Sequence, residues 1–399
     1  MYMKRDMRYD FDKQIDRRGT DCVKWDEFCS SDVIPLWVAD MDFETAPCVM
    51  TALKRRMEHG CFGYTLVPDG FYRATVDWFA RRHGWQIGGR RAFIYTSGVV
   101  PAISAIVKAM TSPGDRVLVQ SPVYNCFFSS IRNNGCEVVE NVLRLDDGVT
   151  IDWEEFERQC ADPKVKVFLL CNPHNPVGRV WTREELLRMG EICISNGVFV
   201  VSDEIHCEFV YSAERPYIPF ASLSEKFAQH CAVCISPSKA FNIAGLQIAN
   251  VIVENDEVRQ KIDRAININE VCDVNPFGVI ALQAAYSREG EMWIDELCVY
   301  IHGNYLMARE MIERDAPWLK VAELEGTYLM WVDVRALGMS SKQVTGGLLR
   351  EEGVYVNPGT MYGEKTGEGY IRINLATRRA LVLEGIKRLI RFCSAHQGR

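Results

Sequence analysis

The chain has 399 residues, enough for two or three domains or for one large domain with a smaller one attached. Hydrophobic residues make up 48% and charged residues 25%, which excludes a disordered or fibrous chain. The 46 Lys and Arg against 53 Asp and Glu leave a net charge of −7, so no basic excess is present to bind a nucleic acid or an anionic membrane.

The N-terminal residues 1–19 mix both charge signs without a central apolar stretch, so we expect neither a secretory signal nor a membrane anchor. The 15 Cys residues are scattered along the chain and predict reduced, buried thiols and a cytoplasmic protein. Cys231 and Cys234 have the spacing of half a zinc site, but their apolar run favours a strand. The histidines show no metal-ligand spacing, so no metal is predicted.

Short apolar runs alternate with longer helical patterns in the middle of the chain, which predicts an α/β fold with a mostly parallel sheet. Pro101 suits the first turn of a helix after Ser97 and Gly98, and Thr182 with Glu185 forms a capping box that opens a helix. The predicted strands are residues 93–95, 116–120, 165–171, 198–202, 232–235 and 250–253.

The pattern changes after about residue 290 to a long helix over 293–314, strands over 328–334 and 370–375, and a closing helix from Ala380. We therefore expect a second, smaller domain. The predicted division is an N-terminal segment 1–48 that joins the small domain, a large domain 49–288 and a small C-terminal domain 289–399.

Five of the predicted strands are followed by residues that carry chemistry. Because ligands bind beyond the carboxyl ends of such strands, these residues are expected to meet in one crevice. One ligand, pyridoxal phosphate, would use a phosphate-sized turn, an aromatic face, an amide, a carboxylate and an amine together. In strand order, the residues are Ser97 and Gly98, Tyr124, Asn175, Asp203 and Lys239.

Each group has an expected role toward that cofactor. Lys239 would form the Schiff base, and Asp203 would pair with the pyridinium nitrogen. Tyr124 can stack on the ring, and Asn175 can donate to the phenolic oxygen. The phosphate would meet the backbone N–H groups that open the helix after Ser97 and two serine hydroxyls. Those phosphate groups belong to Gly98, Val99, Val100, Ser236 and Ser238.

The alternating strand around Arg372 places Ile371 and Ile373 on one face and the guanidinium on the other. There it could bind the α-carboxylate of an amino-acid substrate through two parallel hydrogen bonds. Taken singly, each of these residues has a simpler interpretation, such as a surface lysine, a helix cap or an ion pair. Their order at successive strand ends favours the joint site.

With these residues the chain resembles the fold-type I pyridoxal-phosphate enzymes of aminotransferase class I and II, and within that class the cystathionine β-lyase-like carbon–sulfur lyases. The resemblance implies a large domain with a mostly parallel seven-stranded sheet and a smaller α+β C-terminal domain. The matching stretches are residues 35–43, 62–64, 97–101, 172–178, 203–206, 236–246 and 371–374.

The resemblance implies that Lys239, Tyr124 and Asp203 are catalytic and that Ala39, Asn175 and Arg372 contact the substrate. It also implies that Tyr64 reaches the phosphate of a neighbouring subunit, which predicts a homodimer with shared sites.

Two positions depart from the common aminotransferase pattern. Gln247 stands where an arginine often clamps the phosphate, and His206 stands where a tyrosine is common. Both fit the lyase-like branch, and His206 is expected at the cofactor or behind Asp203.

The predicted reaction is β-elimination from an S-substituted cysteine such as cystathionine, which yields a thiol, pyruvate and ammonia. Lys239 would take the α-proton as general base. Amino transfer between an L-amino acid and a 2-oxo acid uses the same residues and is the first alternative. A regulatory protein that retains the cofactor without relevant turnover is the second.

Overall fold

The computed structural model describes residues 7–28, 32–146, 148–268 and 273–397. The remaining residues at both chain ends, around residue 30, at 147 and at 269–272 lie outside this description, and the predicted segments 1–48, 49–288 and 289–399 each include some of them.

The described residues form an α/β structure with helices along most of the chain. The α-helices are α1 (Val23–Asp26), α2 (Pro47–Glu58), α3 (Asp69–His83), α4 (Val99–Met110), α5 (Asn125–Asn133), α6 (Trp153–Cys160), α7 (Arg183–Ser195), α8 (Glu225–Gln229), α9 (Asp256–Asn267), α10 (Pro276–Ala285), α11 (Arg288–Asp315), α12 (Ser341–Glu352) and α13 (Arg379–His396). The strands are β1 (Ile34–Pro35), β2 (Phe93–Thr96), β3 (Arg116–Ser121), β4 (Glu137–Val142), β5 (Val165–Cys171), β6 (Phe199–Asp203), β7 (Cys231–Ile235), β8 (Ala249–Ile252), β9 (Lys320–Val321), β10 (Leu329–Asp333), β11 (Val354–Tyr355), β12 (Asn357–Pro358) and β13 (Tyr370–Asn374).

A seven-stranded sheet forms the centre of the larger part, in the order β2-β8-β7-β6-β5-β3-β4. Only β8 runs antiparallel to its neighbours, β2 and β7. The predicted mostly parallel α/β sheet is therefore confirmed. Its inner strands β5, β6 and β7 are buried along almost their whole length, as expected for strands covered by helices on both faces.

Local sequence signals explain several element ends. Thr182 and Glu185 form the predicted capping box of α7, with both reciprocal hydrogen bonds present. The long helix begins five residues earlier than predicted, at Arg288, because the Ser287 hydroxyl caps it by accepting from the Gly290 N–H. The predictions missed β4, in which only Asn141 is fully buried and the apolar signal is weak.

The smaller part contains a four-stranded antiparallel sheet, β12-β13-β10-β9, with α11, α12 and α13. Residues of the N-terminal segment contribute here, because β1 pairs in parallel with β11. The predicted division into a segment 1–48, a large domain 49–288 and a small domain 289–399 stays a prediction.

Cys231 and Cys234 lie in β7 and are fully buried, as the strand interpretation requires. The cysteines in the described ranges are all free. Among the described helices none is both long and apolar enough to cross a bilayer.

Candidate active site

The carboxyl ends of the parallel strands open into a cavity of about 350 Å³, which also contacts the small-domain strands β12 and β13. The topology produces this meeting point, because β2, β3, β5, β6 and β7 all run in one direction and end at one edge of the sheet. Sequence-predicted residues that line the cavity are Ala39, Gly98, Val99, Val100, Tyr124, Asn175, Asp203, His206, Ser238, Lys239 and Arg372.

Lys239 follows β7 on a turn and presents its amine to the cavity. Its Nζ donates a hydrogen bond to the carbonyl oxygen of Ala39 at 2.6 Å. Burial lowers the pKa of Lys239 to about 8, an effect that Asp40 opposes and Arg372 reinforces. At pH 7 roughly a tenth of this amine is therefore deprotonated, far more than of an ordinary lysine, and only the deprotonated form acts as a nucleophile or general base.

Asp203 is the last residue of β6 and is almost fully buried. Its carboxylate accepts one backbone hydrogen bond, from Ile205 N–H at 3.2 Å. Within the described part of the chain, no cationic nitrogen lies within 4.0 Å of it, and burial raises its pKa to about 7. A buried carboxylate without a cationic partner would be stabilised by a ligand with a protonated ring nitrogen.

Arg372 lies in the middle of β13 and is 3% exposed. It donates to the side-chain oxygen of Asn175 at 3.1 Å and to the carbonyl of Trp37 at 2.9 Å, and its guanidinium lies 4.6 Å from the Tyr362 ring centroid. No described carboxylate forms an ion pair with it. The cavity thus holds a buried cation that a substrate carboxylate could neutralise.

Asn175 is positioned by the same contact. Because its oxygen accepts from Arg372, its amide nitrogen remains the donor that can serve a ligand oxygen in the cavity.

The start of α4 forms another wall. Gly98 is the N-cap, and the first backbone N–H groups of a helix have no partner within it. Ser238 lines the cavity, whereas Ser236 lies behind it, with its hydroxyl oxygen 2.7 Å from that of Ser238 and 2.5 Å from the Ile248 carbonyl oxygen. Ser236 thus supports Ser238, and a phosphate would meet Ser238 first.

Two further predicted residues complete the inner wall. Tyr124 is the N-cap residue of α5, and burial raises the pKa of its hydroxyl, which keeps it protonated. His206 packs edge-on against Tyr328, with ring centroids 5.4 Å apart, and burial lowers its pKa well below the usual range. A neutral imidazole therefore faces the cavity at pH 7.

Two predicted positions lie elsewhere within this single chain. Gln247 is exposed and does not line the cavity. Tyr64 is 96% exposed on a stretch without regular secondary structure. Tyr64 does not line the cavity of its own chain.

Sequence reasoning missed several groups, notably those that the small domain contributes. Asn357 lies opposite Arg372 in the β12–β13 register and donates to the Trp37 carbonyl and the Tyr362 hydroxyl. The position of Asn357 shortly before the predicted strand of Arg372 is the sequence feature that could have indicated it. Other lining residues not assigned from sequence are Asn125, Cys171, Ile205, Ala244, Met361 and Tyr362.

The carbonyls of residues 37–41, here called the entrance segment, are all held by side chains. The donors are Arg372 and Asn357 for Trp37, Asn374 for Val38 and Asp40, Lys239 and Tyr328 for Ala39, and Asn242 and Arg17 for Met41. This segment without regular secondary structure is thereby fixed between the two parts of the chain.

A second cavity, of about 460 Å³, lies beside β9 and β10. It contains none of the sequence-predicted site residues, and its acids Asp146, Asp333 and Glu325 are paired with arginines. Its chemistry is that of a salt-bridged surface, so the smaller cavity around Lys239 is the candidate active site.

The amine, the buried acid, the free cation and the helix N-terminus together fit pyridoxal phosphate with an amino acid bound to it. Comparison with solved structures agrees. Cystalysin of Treponema denticola, whose structure contains a pyridoxal 5'-phosphate cofactor, superposes with a TM-score of 0.93 at 32% identity over 98% of this chain and 100% of its own. The PLP-bound C–S lyase of Staphylococcus hominis gives 0.90 at 30% identity over 96% and 99%.

Sequence comparison finds relatives of the same kind. The chain is 41% identical to cystathionine beta-lyase PatB of Bacillus subtilis (strain 168), over 95% of this chain and 98% of that protein. The model of the family described as aminotransferase class I and II matches residues 31–389. A match of this extent, together with the cavity at the strand ends, places the chain in the aminotransferase class I and II family.

Proposed function

We propose that the chain is a pyridoxal-phosphate-dependent carbon–sulfur β-lyase that releases a thiol, pyruvate and ammonia from S-substituted cysteines such as cystathionine. The observation that carries the proposal is that Lys239, Asp203 and Arg372 line one cavity, in which the acid and the guanidinium are buried and the amine is half-buried. The relatives named as cystathionine beta-lyases and C–S lyases support the choice of reaction.

Pyridoxal phosphate, when bound, supplies an aldehyde that condenses with amines and a ring that draws electrons from the substrate α-carbon. The chain's residues do the rest. Lys239 would hold the aldehyde and, once free, would take the α-proton on Nζ. Asp203 would keep a proton on the ring nitrogen, because an ionised acid in this buried position is stabilised by an adjacent cation.

The substrate is oriented by groups on the opposite wall. Arg372 would bind the α-carboxylate with two N–H donors, and Asn175 would donate to the phenolic oxygen of the cofactor. Tyr124 would hold the ring, and the N–H groups at the start of α4 with the Ser238 hydroxyl would bind the phosphate. His206, neutral and buried in the wall of the same cavity, contributes its shape without adding a second charge.

The test is incubation of the purified chain, loaded with pyridoxal phosphate, with cystathionine while thiol and pyruvate are recorded. Stoichiometric release of both supports β-elimination. Conversion of an added 2-oxo acid into its amino acid, without thiol release, would assign amino transfer instead. A K239A variant that keeps a cellular phenotype would favour the regulatory alternative.

We further propose that the enzyme is a cytoplasmic homodimer in which Tyr64 contributes to the site of the other subunit. In support, Tyr64 is exposed together with Phe62 and Leu66, which are 53% and 89% exposed. Three large side chains exposed within five residues suit a surface that a second copy covers.

A further inference from the structure

The carbonyl oxygen of Ala39 accepts two hydrogen bonds. Lys239 Nζ donates to it at 2.6 Å, and the Tyr328 hydroxyl donates to it at 2.9 Å. Tyr328 lies directly before β10 and is fully buried, so no water competes for this hydroxyl. A backbone carbonyl has two lone pairs, and two donors that share it compete for the same electron density.

The backbone at Thr327 fixes where Tyr328 points. Thr327 has a φ of +67°, a left-handed conformation that is unfavourable for a β-branched residue. Three hydrogen bonds hold it there: Thr327 N–H donates to the Phe209 carbonyl, the Tyr211 hydroxyl donates to the Thr327 carbonyl, and Leu329 N–H donates to the Thr327 hydroxyl. Such an over-determined strained residue next to a site is typical of a functional constraint.

The Tyr328 ring is fixed as well. Its centroid lies 4.8 Å from that of Phe209 and 5.4 Å from that of His206. These two contacts hold the ring in the orientation that brings its hydroxyl to Ala39.

We propose that Tyr328 is a positioning residue for Lys239: by sharing the Ala39 carbonyl, it weakens the hold of that oxygen on the free ammonium, so that the lysine gives up its proton and swings to the substrate. This inference rests on the proposed function for the use of Lys239 as a base. It assigns to Tyr328 no contact with the substrate.

Other groups also act on the charge of Lys239, and the Tyr328 substitution leaves all of them in place. The charged and titratable groups that face Lys239 are Asp40, Asp203, Arg372, Cys126, His206 and Tyr124. If removal of the Tyr328 hydroxyl changes the protonation of Lys239, the change therefore comes from the Ala39 carbonyl that the two side chains share.

The experiment measures the protonation of Lys239 directly. The full chain freed of cofactor is acylated with trace acetic anhydride across pH 6 to 11, and mass spectrometry follows the peptide that contains Lys239. In Y328F we expect the midpoint of acylation to rise by about half a pH unit, since the ammonium then has the Ala39 carbonyl to itself. In the holoenzyme, the acid limb of the kcat profile should move in the same direction.

Y305F is the matched control. Tyr305 is also fully buried in the small domain and donates to a backbone carbonyl, that of Ala322, but it does not line the cavity. We expect its Lys239 midpoint to equal that of the unsubstituted chain.

Y211F supplies a second route, because it removes one of the bonds that hold Thr327 and should move the midpoint upward by a smaller amount, even if Y328F were not to fold. An unchanged midpoint in folded Y328F, or in Y211F if Y328F does not fold, would overturn the proposal. If the midpoint shifts but cystathionine yields no thiol, the proposed reaction is wrong and the role of Tyr328 stands.

Discussion

Arg372 and Asn175 are 197 residues apart in the chain, yet the guanidinium donates to the amide oxygen at 3.1 Å inside the cavity. One residue comes from a strand of the small domain and the other from the turn after β5 of the large sheet. The contact fixes the free amide nitrogen of Asn175 as a donor and leaves the guanidinium without a carboxylate among the described residues. It thereby joins the predicted substrate and cofactor subsites.

Replacement of Arg372 by Lys should damage substrate binding although the positive charge remains. Lysine cannot form two parallel hydrogen bonds to a carboxylate, so kcat/KM should fall about 10- to 100-fold, mostly through KM. Steady-state pyruvate release from cystathionine measures this. R215K is the control, because Arg215 is 41% exposed and pairs with Glu325 far from the cavity, and its kinetics should stay within twofold. An unchanged KM in R372K would remove Arg372 from the substrate site.

The residues at the strand ends were predictable because a topological rule brings them together. Parallel strands end at one edge, so Tyr124, Asn175, Asp203 and Lys239 could be grouped without knowledge of the side-chain packing. Arg372 was found for another reason, the alternation of its strand with a charged residue between isoleucines.

The small-domain contribution could not be grouped in this way. Tyr328 and Asn357 act through the entrance segment, more than 280 residues earlier in the chain, and no periodicity specifies which carbonyl a buried hydroxyl or amide will meet. The left-handed backbone at Thr327 could not be predicted from the sequence either. Threonine rarely adopts that conformation, so its propensity argues against a left-handed residue at this position.

The cofactor-free chain should lose stability as the pH rises from about 4 to about 7. Asp203 and Glu204 are buried, and burial raises the pKa of each to about 7, so the folded state retains protons that the unfolded chain has already lost. The stabilisation is complete below about pH 4 and is lost on ionisation. Lys239 acts in a different window: its pKa is lowered to about 8, so it favours folding as pH rises from there to 10.5.

D203N tests the assignment. Urea unfolding gives the free energy of unfolding at pH 5 and at pH 8. The decrease between these two pH values should be smaller in D203N than in the unsubstituted chain by about 2 kcal/mol. D69N, which changes an acid in the exposed pair with Arg90, should keep the full pH dependence. Equal pH dependence in D203N would mean that Asp203 is already ionised in the cofactor-free fold.

Glu208 should be among the most stabilising acids of the large domain. Its carboxylate accepts from Trp78 Nε1 at 2.7 Å, Arg82 Nε at 2.8 Å and His83 Nε2 at 2.9 Å, and these partners lower its pKa to about 2 despite burial. Glu208, His83 and Cys207 lie close enough together to hold a metal ion, but the Glu208 carboxylate already accepts hydrogen bonds from three donors.

E208Q removes the buried partner of Arg82, which keeps its contacts with Asp295 and Glu291, and should lower the free energy of unfolding by about 2 kcal/mol at pH 7. Because the folded pKa lies below the unfolded one, the difference should shrink as pH falls from about 4.5 toward 2. E44Q breaks the exposed pair with Lys13 and should change unfolding by less than about 0.5 kcal/mol. A comparable effect of both variants in urea titrations would contradict the buried-hub interpretation.

Mixing two inactive variants tests the shared site. If Tyr64 serves the other subunit, each site takes Lys239 from one chain and Tyr64 from its partner. A heterodimer of Y64A and K239A chains then has one site in which both residues are intact and one site in which both are replaced. Random reassociation makes about half of the dimers mixed, each with one intact site of two, so the mixture should regain about a quarter of normal activity at saturating cofactor. The control is a mixture of D203N and K239A, which should regain none because both residues line the cavity of one chain. No recovery in the first mixture would place Tyr64 outside the neighbouring site, whereas recovery in both would mean that the cavity itself is assembled from two chains.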